Sequence, residues 1–290
     1  MHSKDWNMDI RHDVILVREL LHLTEKELAE ELGVAFATVN RWETGQNVIS
    51  PRHLQDLYAY AYRHGVHLNR IHEQFLKEEH QTAETKVLFH GAKSAFTLPV
   101  DLTCSKRHND FGPGFYLGES FEQAASYIAT ADAPNVYAFA LDLTGLKTVT
   151  FPVTLDWMLA ISRFRGWMDA YKESPLLQSV TEKVLAADVV IAPIADNRMF
   201  DLIAEFVRGE ITDLQCEHAL SATDLGMQYV VRTEQAVRKL SFLQEMYVCP
   251  PEKDDFLQSR LETGKNGQDK VKAARIAYRG KGTYIDELLA

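Results

Sequence analysis

Two short runs of this chain carry residue types able to do chemistry together. His90-Gly91 closes the apolar stretch Val87-Leu88-Phe89, and Asp110-Phe111-Gly112-Pro113-Gly114-Phe115-Tyr116 follows it. A His at a strand end can donate or accept a hydrogen bond. A Gly beside it lets a planar group approach the backbone. A Gly-rich turn that ends in an aromatic-Tyr pair suits a cleft around a flat ligand. Each residue alone also has a plainer reading, since a strand-end His is commonly a satisfied structural group and a Tyr commonly core. It is the combination that points to a site.

Composition bounds what the rest of the chain does. It has 290 residues, 46% of them hydrophobic, and a formal net charge of -10. That length predicts about two domains. The charge is poor electrostatics for coating DNA or an anionic membrane, although a local contact with DNA is compatible with it. Cys104, Cys216 and Cys249 match no zinc spacing and form no disulfide framework. Eight of the 11 His precede residue 81 without ligand spacing, so no metal is expected. The N-terminus is polar, and no apolar run approaches the ~20 residues that span a bilayer. A cytoplasmic protein with no membrane partner is the expectation.

The elements that would position these groups fall into two blocks. Val14, Val17, Leu20 and Leu21 mark one apolar helical face. Thr24 with Glu27 reads as a capping box opening a helix that stops at Gly33. A second short helix runs from about Phe36 to Glu43 and closes at Gly45. Two short helices joined by a Gly-containing turn are a helix-turn-helix signature. Residues 54–76 complete the bundle, giving an all-α domain over 1–76 and a polar linker over 77–85. From 86 to 245, strand patterns at 87–90, 136–141, 189–192 and 229–231 alternate with helical material at 121–129, 155–185 and 199–218. This predicts an α+β domain with a mixed or antiparallel sheet. Gly112-x-Gly114 precedes a strand-like Phe-Tyr-Leu, so it is no dinucleotide fingerprint. Residues 246–290 read as a partly flexible tail with one or two short helices.

The stretch from Leu23 to Val34, continued from Thr38 to Gly45, resembles the phage-repressor-like (XRE-type) helix-turn-helix family. By position, that resemblance puts Ala35, Phe36, Ala37 and Arg41 toward a DNA major groove, with Asn40 nearby. Base reading would rest on Arg41, Asn40 and methyl contacts. Phosphate contacts look thin, because residues 1–80 hold 9 Lys+Arg against 13 Asp+Glu. A protein-interaction or dimerisation role for the same helices is the competing reading.

The second block resembles the ADP-ribosyltransferase superfamily, in the branch with a His, Tyr, Glu triad, and within it the bacterial DUF3990 group. The likeness runs through Phe89-His90-Gly91, the Phe111–Leu117 run, Ala124-Ala125-Ser126-Tyr127, Asp196–Phe200 and Gly226–Val231. It implies NAD as co-substrate. His90 would bond a ribose hydroxyl, Gly91 would offer backbone groups to the carboxamide, and Tyr116 with Tyr127 would clamp the pyridinium ring. Arg198 would meet the diphosphate or form a surface ion pair. The triad Glu falls on Gln228, which can hydrogen-bond but supplies no negative charge. Transfer would then draw on another carboxylate, from Asp196, Asp224 or Glu234, with Asp196 preferred because it ends an apolar segment. The resemblance implies an NAD-dependent ADP-ribosyltransferase, of a kind found in toxin and conflict systems. Its acceptor would be a protein or a nucleic acid, and an antitoxin partner or a homodimer is compatible. The alternative is a DNA-binding regulator whose second domain senses NAD or ADP-ribose without chemistry.

Overall fold

The computed structural model describes residues 10–93, 96–132, 134–222 and 225–290. Its first part is all helix: α1 (Ile10–Leu20), α2 (Glu25–Glu31), α3 (Phe36–Glu43), α4 (Pro51–Arg63) and α5 (Leu68–His80). The Thr24–Glu27 capping box forms in full, with the Glu27 carboxylate accepting from the Thr24 N–H at 2.7 Å. Those bonds hold the Glu27 carboxyl below its ordinary range. Val14, Val17, Leu28, Val39, Trp42 and Leu57 pack into one core.

The second part is a seven-stranded sheet with helices. It opens with β1 (Thr85–Ala92), β2 (Phe115–Gly118), α6 (Phe121–Ile128), β3 (Asn135–Asp142) and β4 (Thr148–Thr150). α7 (Leu155–Phe164), α8 (Pro175–Leu185), β5 (Val189–Pro193), α9 (Asn197–Val207) and α10 (Asp213–Leu220) follow. β6 (Met227–Val231), α11 (Glu234–Val237), β7 (Leu240–Tyr247), α12 (Pro250–Ala277) and α13 (Ile285–Leu288) complete the chain. Strand order is β4-β5-β6-β2-β1-β3-β7, and only β4 with β5 is a parallel pair. The fold is therefore an all-α helix-turn-helix bundle followed by an α+β domain.

Alternation along paired strands sends side chains to two faces. On one face Phe89 and Val87 meet Phe121, Ala125 and Ile128. Val190, Ala192 and Val230 lie on that same side under the helices after β4. The other face carries Leu88, Phe115, Leu117 and Phe139 beneath Phe96 and Val100.

The expected linker and tail take different forms. α5 continues to His80 and β1 begins at Thr85, so the connection between them is residues 81–84. Glu73 explains the extension: its carboxylate pairs with Lys77 one turn on and accepts from the Phe121 N–H at 3.1 Å. Residues 250–277 are one long helix rather than a flexible tail with short ones. Pro250-Pro251 starts it, where a missing N–H costs nothing. Near that start Phe256 packs on Phe121, and Lys253 donates to the Ala131 carbonyl at 2.5 Å. Toward its end Arg275 pairs with Glu205 at 2.8 Å.

A buried contact ties the two parts. Asn69 of α5 donates to the Tyr247 carbonyl at 2.8 Å and to Glu252 at 2.7 Å. Burial pushes the Glu252 carboxyl up to about 7, the Asn69 bond opposing it. The folded chain thus favours the protonated acid. Its contribution is present in acid and is lost as pH rises through about 7. Urea unfolding should show stability falling by about 2 kcal/mol from about pH 5.5 to 8.5 through this group. Glu252→Gln should flatten that slope, and an unchanged slope would refute the assignment.

Candidate functional site

β2 runs between β1 and β6, so His90, Tyr116 and Gln228 stand on three neighbouring strands. Gly118 pairs with Phe89 on one side and with Gln228 on the other. The side chains do not share one face. Gln228 and Tyr116 lie on the side of α7 and α9. The His90 ring lies on the opposite side, 4.4 Å from Phe115 and 5.4 Å from Phe96.

His90 Nδ1 meets the Tyr116 carbonyl at 2.8 Å. A carbonyl only accepts, so Nδ1 carries the proton and Nε2 is left as a lone-pair acceptor. Burial lowers the pKa of the ring, the carbonyl opposing it, which favours the neutral form.

The turn before β2 is held by Tyr116. Its hydroxyl donates to the Gly112 carbonyl at 2.7 Å and accepts from the Phe111 N–H at 3.1 Å. That leaves the ring, and not the hydroxyl, available to a ligand. Burial raises the phenol pKa well above its usual value. Gly112 has φ +76, and a Cβ there would meet Phe164 at 2.9 Å, so the turn requires glycine.

Asp110, at the start of the same turn, is the carboxylate beside Gln228. Its Oδ2 accepts from Gln228 Nε2 at 3.3 Å, and its Oδ1 accepts from Arg165 at 2.9 and 3.1 Å. The Arg165 guanidinium lies 3.4 Å from the Phe200 ring centroid. Burial raises the Asp110 carboxyl above its ordinary range although Arg165 and Gln228 pull it down. Gln228 Nε2 also donates to the Pro193 carbonyl at 3.1 Å. Sequence reasoning passed over Asp110, and its one signal was membership of the Gly-rich run. Glu119, also passed over, accepts from the Met227 N–H at 3.3 Å.

The preferred carboxylate, Asp196, stands elsewhere. It caps α9, accepting from the Arg198 and Met199 N–H groups, while its second oxygen takes the Arg198 guanidinium at 2.6 Å. Its capping role was readable as an Asp immediately before a helix. Arg198 is held by that pair. Glu234 is exposed in the first turn of α11, and Asp224 lies outside the described residues. Tyr127 is 66% exposed on α6, with Lys93 Nζ 5.3 Å from its ring centroid. Gly91 is explained by packing: a Cβ there would meet the Ala124 carbonyl oxygen of α6 at 2.5 Å.

In the helical part, Ala35, Phe36, Ala37 and Arg41 are exposed on or beside α3. Asn40 is half-buried, its amide held by Glu25 at 3.3 and 3.4 Å. Arg18 pairs with Glu43 at 2.7 Å. Among the described residues, no three His, Cys, Asp or Glu side chains form a group able to hold a metal ion. No described helix is long and apolar enough to cross a membrane.

Comparison with known families gives two matches. A family described as a protein of unknown function (DUF3990) matches residues 86–242, and a helix-turn-helix family matches residues 15–57. No curated protein and no solved structure matches the chain. The first match covers β1 to the first residues of β7 and so includes His90, Asp110, Tyr116 and Gln228. This family is loosely linked to ADP-ribosyltransferase-like folds.

Proposed function

The chain belongs to the DUF3990 family, joined to a helix-turn-helix domain, and from its site we propose that it binds NAD and transfers ADP-ribose to a protein or nucleic-acid acceptor. The observation that carries the reading is two oriented acceptors, one on each face of the sheet. His90 Nε2 is freed as an acceptor because Nδ1 donates to the Tyr116 carbonyl. Gln228 Oε1 is freed because Nε2 donates to Asp110 and Pro193. Each acceptor suits a ribose hydroxyl. β2 separates their strands and their side chains lie on opposite faces of the sheet. The two would therefore meet different hydroxyl-bearing parts of NAD, which carries a ribose on either side of its diphosphate. Tyr116 adds its ring, and Tyr127 with Lys93 stands at the end of β1.

In the reaction the bond from the ribose C1′ to the nicotinamide nitrogen breaks. Its electron pair goes to that nitrogen and neutralises the pyridinium. The acceptor nucleophile bonds to C1′ and releases its proton to water. Charge develops on the sugar as the leaving group departs, so oriented acceptors that need no rearrangement stabilise it. Calorimetry with NAD, followed by nicotinamide release in the presence and absence of cell extract, tests the reading. His90→Ala should weaken NAD binding about fivefold to tenfold, the scale of one lost hydrogen bond. Equal affinity in both proteins would remove His90 from the site.

A second reading keeps binding without transfer. It is favoured by Asp110, whose carboxylate is committed to Arg165 and Gln228. A DNA-binding regulator that senses NAD or ADP-ribose would show NAD binding and no nicotinamide release.

The helix-turn-helix domain serves, in this proposal, to bring the second domain to duplex DNA. Arg41 is exposed on α3, and its side chain forms no hydrogen bond or ion pair among the described residues. Arg41→Ala should cost about 1–3 kcal/mol of discrimination between duplexes. Fluorescence anisotropy at low salt would measure it. No affinity for any duplex would favour a protein partner on this face.

A further inference from the structure

The Gln228 side chain has its amide hydrogens assigned by its surroundings. Nε2 lies 3.3 Å from Asp110 Oδ2 and 3.1 Å from the Pro193 carbonyl oxygen, both of them acceptors. Turning the amide over would set its oxygen against these two oxygens, so the orientation follows from chemistry. Oε1 is left with no partner among the described residues. Asp110 is itself clamped, because two Arg165 N–H groups hold Oδ1 and the guanidinium rests on Phe200. The carboxylate therefore has little freedom to leave Gln228.

We propose that Asp110 is a positioning residue that fixes the Gln228 amide with Oε1 as the acceptor, so that an amide and a buried carboxylate together replace a single catalytic carboxylate. This rests on the reading of the domain as NAD-binding. Oε1 accepts the ribose hydroxyl. The negative charge that an amide lacks stands one hydrogen bond behind it, on Asp110. The arrangement also explains why Asp196 is not required for this purpose, since its two oxygens serve the α9 terminus and Arg198.

The pair can be inverted. Gln228→Glu sets a second carboxylate against Asp110, and like charges at this distance repel. Asp110→Asn alone removes the charge and leaves Arg165 unpaired. Together the two substitutions exchange donor and acceptor across the 110–228 gap, leaving one carboxylate and one amide, while the bond to the Pro193 carbonyl is lost in both proteins that carry Gln228→Glu. Four proteins are compared: wild type, each single variant and the double variant. Each is measured for NAD affinity by calorimetry, nicotinamide release, and urea unfolding. Each single change should lower release about tenfold or more. The loss in the double should fall well short of the product of the two losses, with release no lower than in the single variants, a non-additive cycle. Release in the double should stay below wild type, because the Pro193 and Arg165 contacts are not restored. NAD affinity should change much less than release, which a merely structural role would not produce. Losses that simply add in the double variant, in both release and unfolding, overturn the proposal. If wild type binds no NAD, the reading of the domain fails instead. The unfolding cycle then still decides the pin: non-additivity upholds it and additivity overturns it.

Discussion

Gly91→Ala is expected to lower the melting temperature of the whole chain. A Cβ on Gly91 would come within 2.5 Å of the Ala124 carbonyl oxygen and 3.0 Å of an Ile128 methyl. The first obstacle is helix backbone and cannot swing aside as a side chain tip can. α6 would have to lift from β1, disturbing the packing of Phe121, Ala125 and Ile128 on Phe89. Overpacking of this kind costs about 1–3 kcal/mol, and more where backbone must move. For a chain of this size each kcal/mol is worth roughly 2–4 °C, so a fall of about 5–10 °C is the expected reading by calorimetry. Close approach of a nicotinamide carboxamide gives a different result. A variant with the wild-type melting temperature and lost NAD affinity would show that the glycine makes room for a ligand and not for α6.

The contrast shows what the sequence made legible. Local signals were strong where the physics is local. Thr24 and Glu27 specify a helix start within four residues, and that capping box is present. Val136–Leu141 alternates as a strand should and lies within β3. Long-range pairings left no such trace. Asp110 meets Arg165 across 55 positions and Gln228 across 118. Nothing in the Gly-rich run says that its acidic residue has these neighbours. The face on which a strand residue points is a matter of register, and register is set by partners. His90 and Tyr116 are neighbours in the sheet yet project to opposite sides for that reason.

The long α12 was hidden for another reason. Gly264 and Gly267 each cost about 1 kcal/mol in a helix interior relative to Ala, and the polar stretch around them carries no apolar periodicity. Tertiary anchors at both ends override that local preference. Phe256 and Lys253 hold the helix to the region of α6, and Arg275 holds it to α9.

The second large effect concerns the join between the two parts. Removing residues 1–80 is expected to leave a chain that does not fold to a stable monomer. A helix-turn-helix domain on a polar linker would be separable, but the helical part is here built into the second domain. Leu76 lies in one core with Val87, Phe89 and Phe121. Glu73 supplies an acceptor to the Phe121 N–H at the start of α6, where a negative charge is favoured. Tyr58 meets the Tyr247 ring edge-on at 5.6 Å, and Tyr62 donates to Asp255 at 2.7 Å. Cys249 is counted in the core of the helical part although it directly precedes α12. Truncation would uncover these apolar surfaces at once and leave the Glu252 carboxyl without Asn69. The full chain should therefore melt in a single transition, with calorimetric and van't Hoff enthalpies in agreement. The fragment from 81 onward should bind hydrophobic dye or aggregate. Two separate transitions in the full chain, or a soluble fragment that unfolds cooperatively, would show instead that the parts are independent. One cooperative unit has a functional corollary. Whatever the exposed face of α3 engages is then held in a fixed direction relative to the sheet that carries His90 and Gln228, so that, under the proposed transfer, the first part would select the acceptor by geometry as well as by proximity.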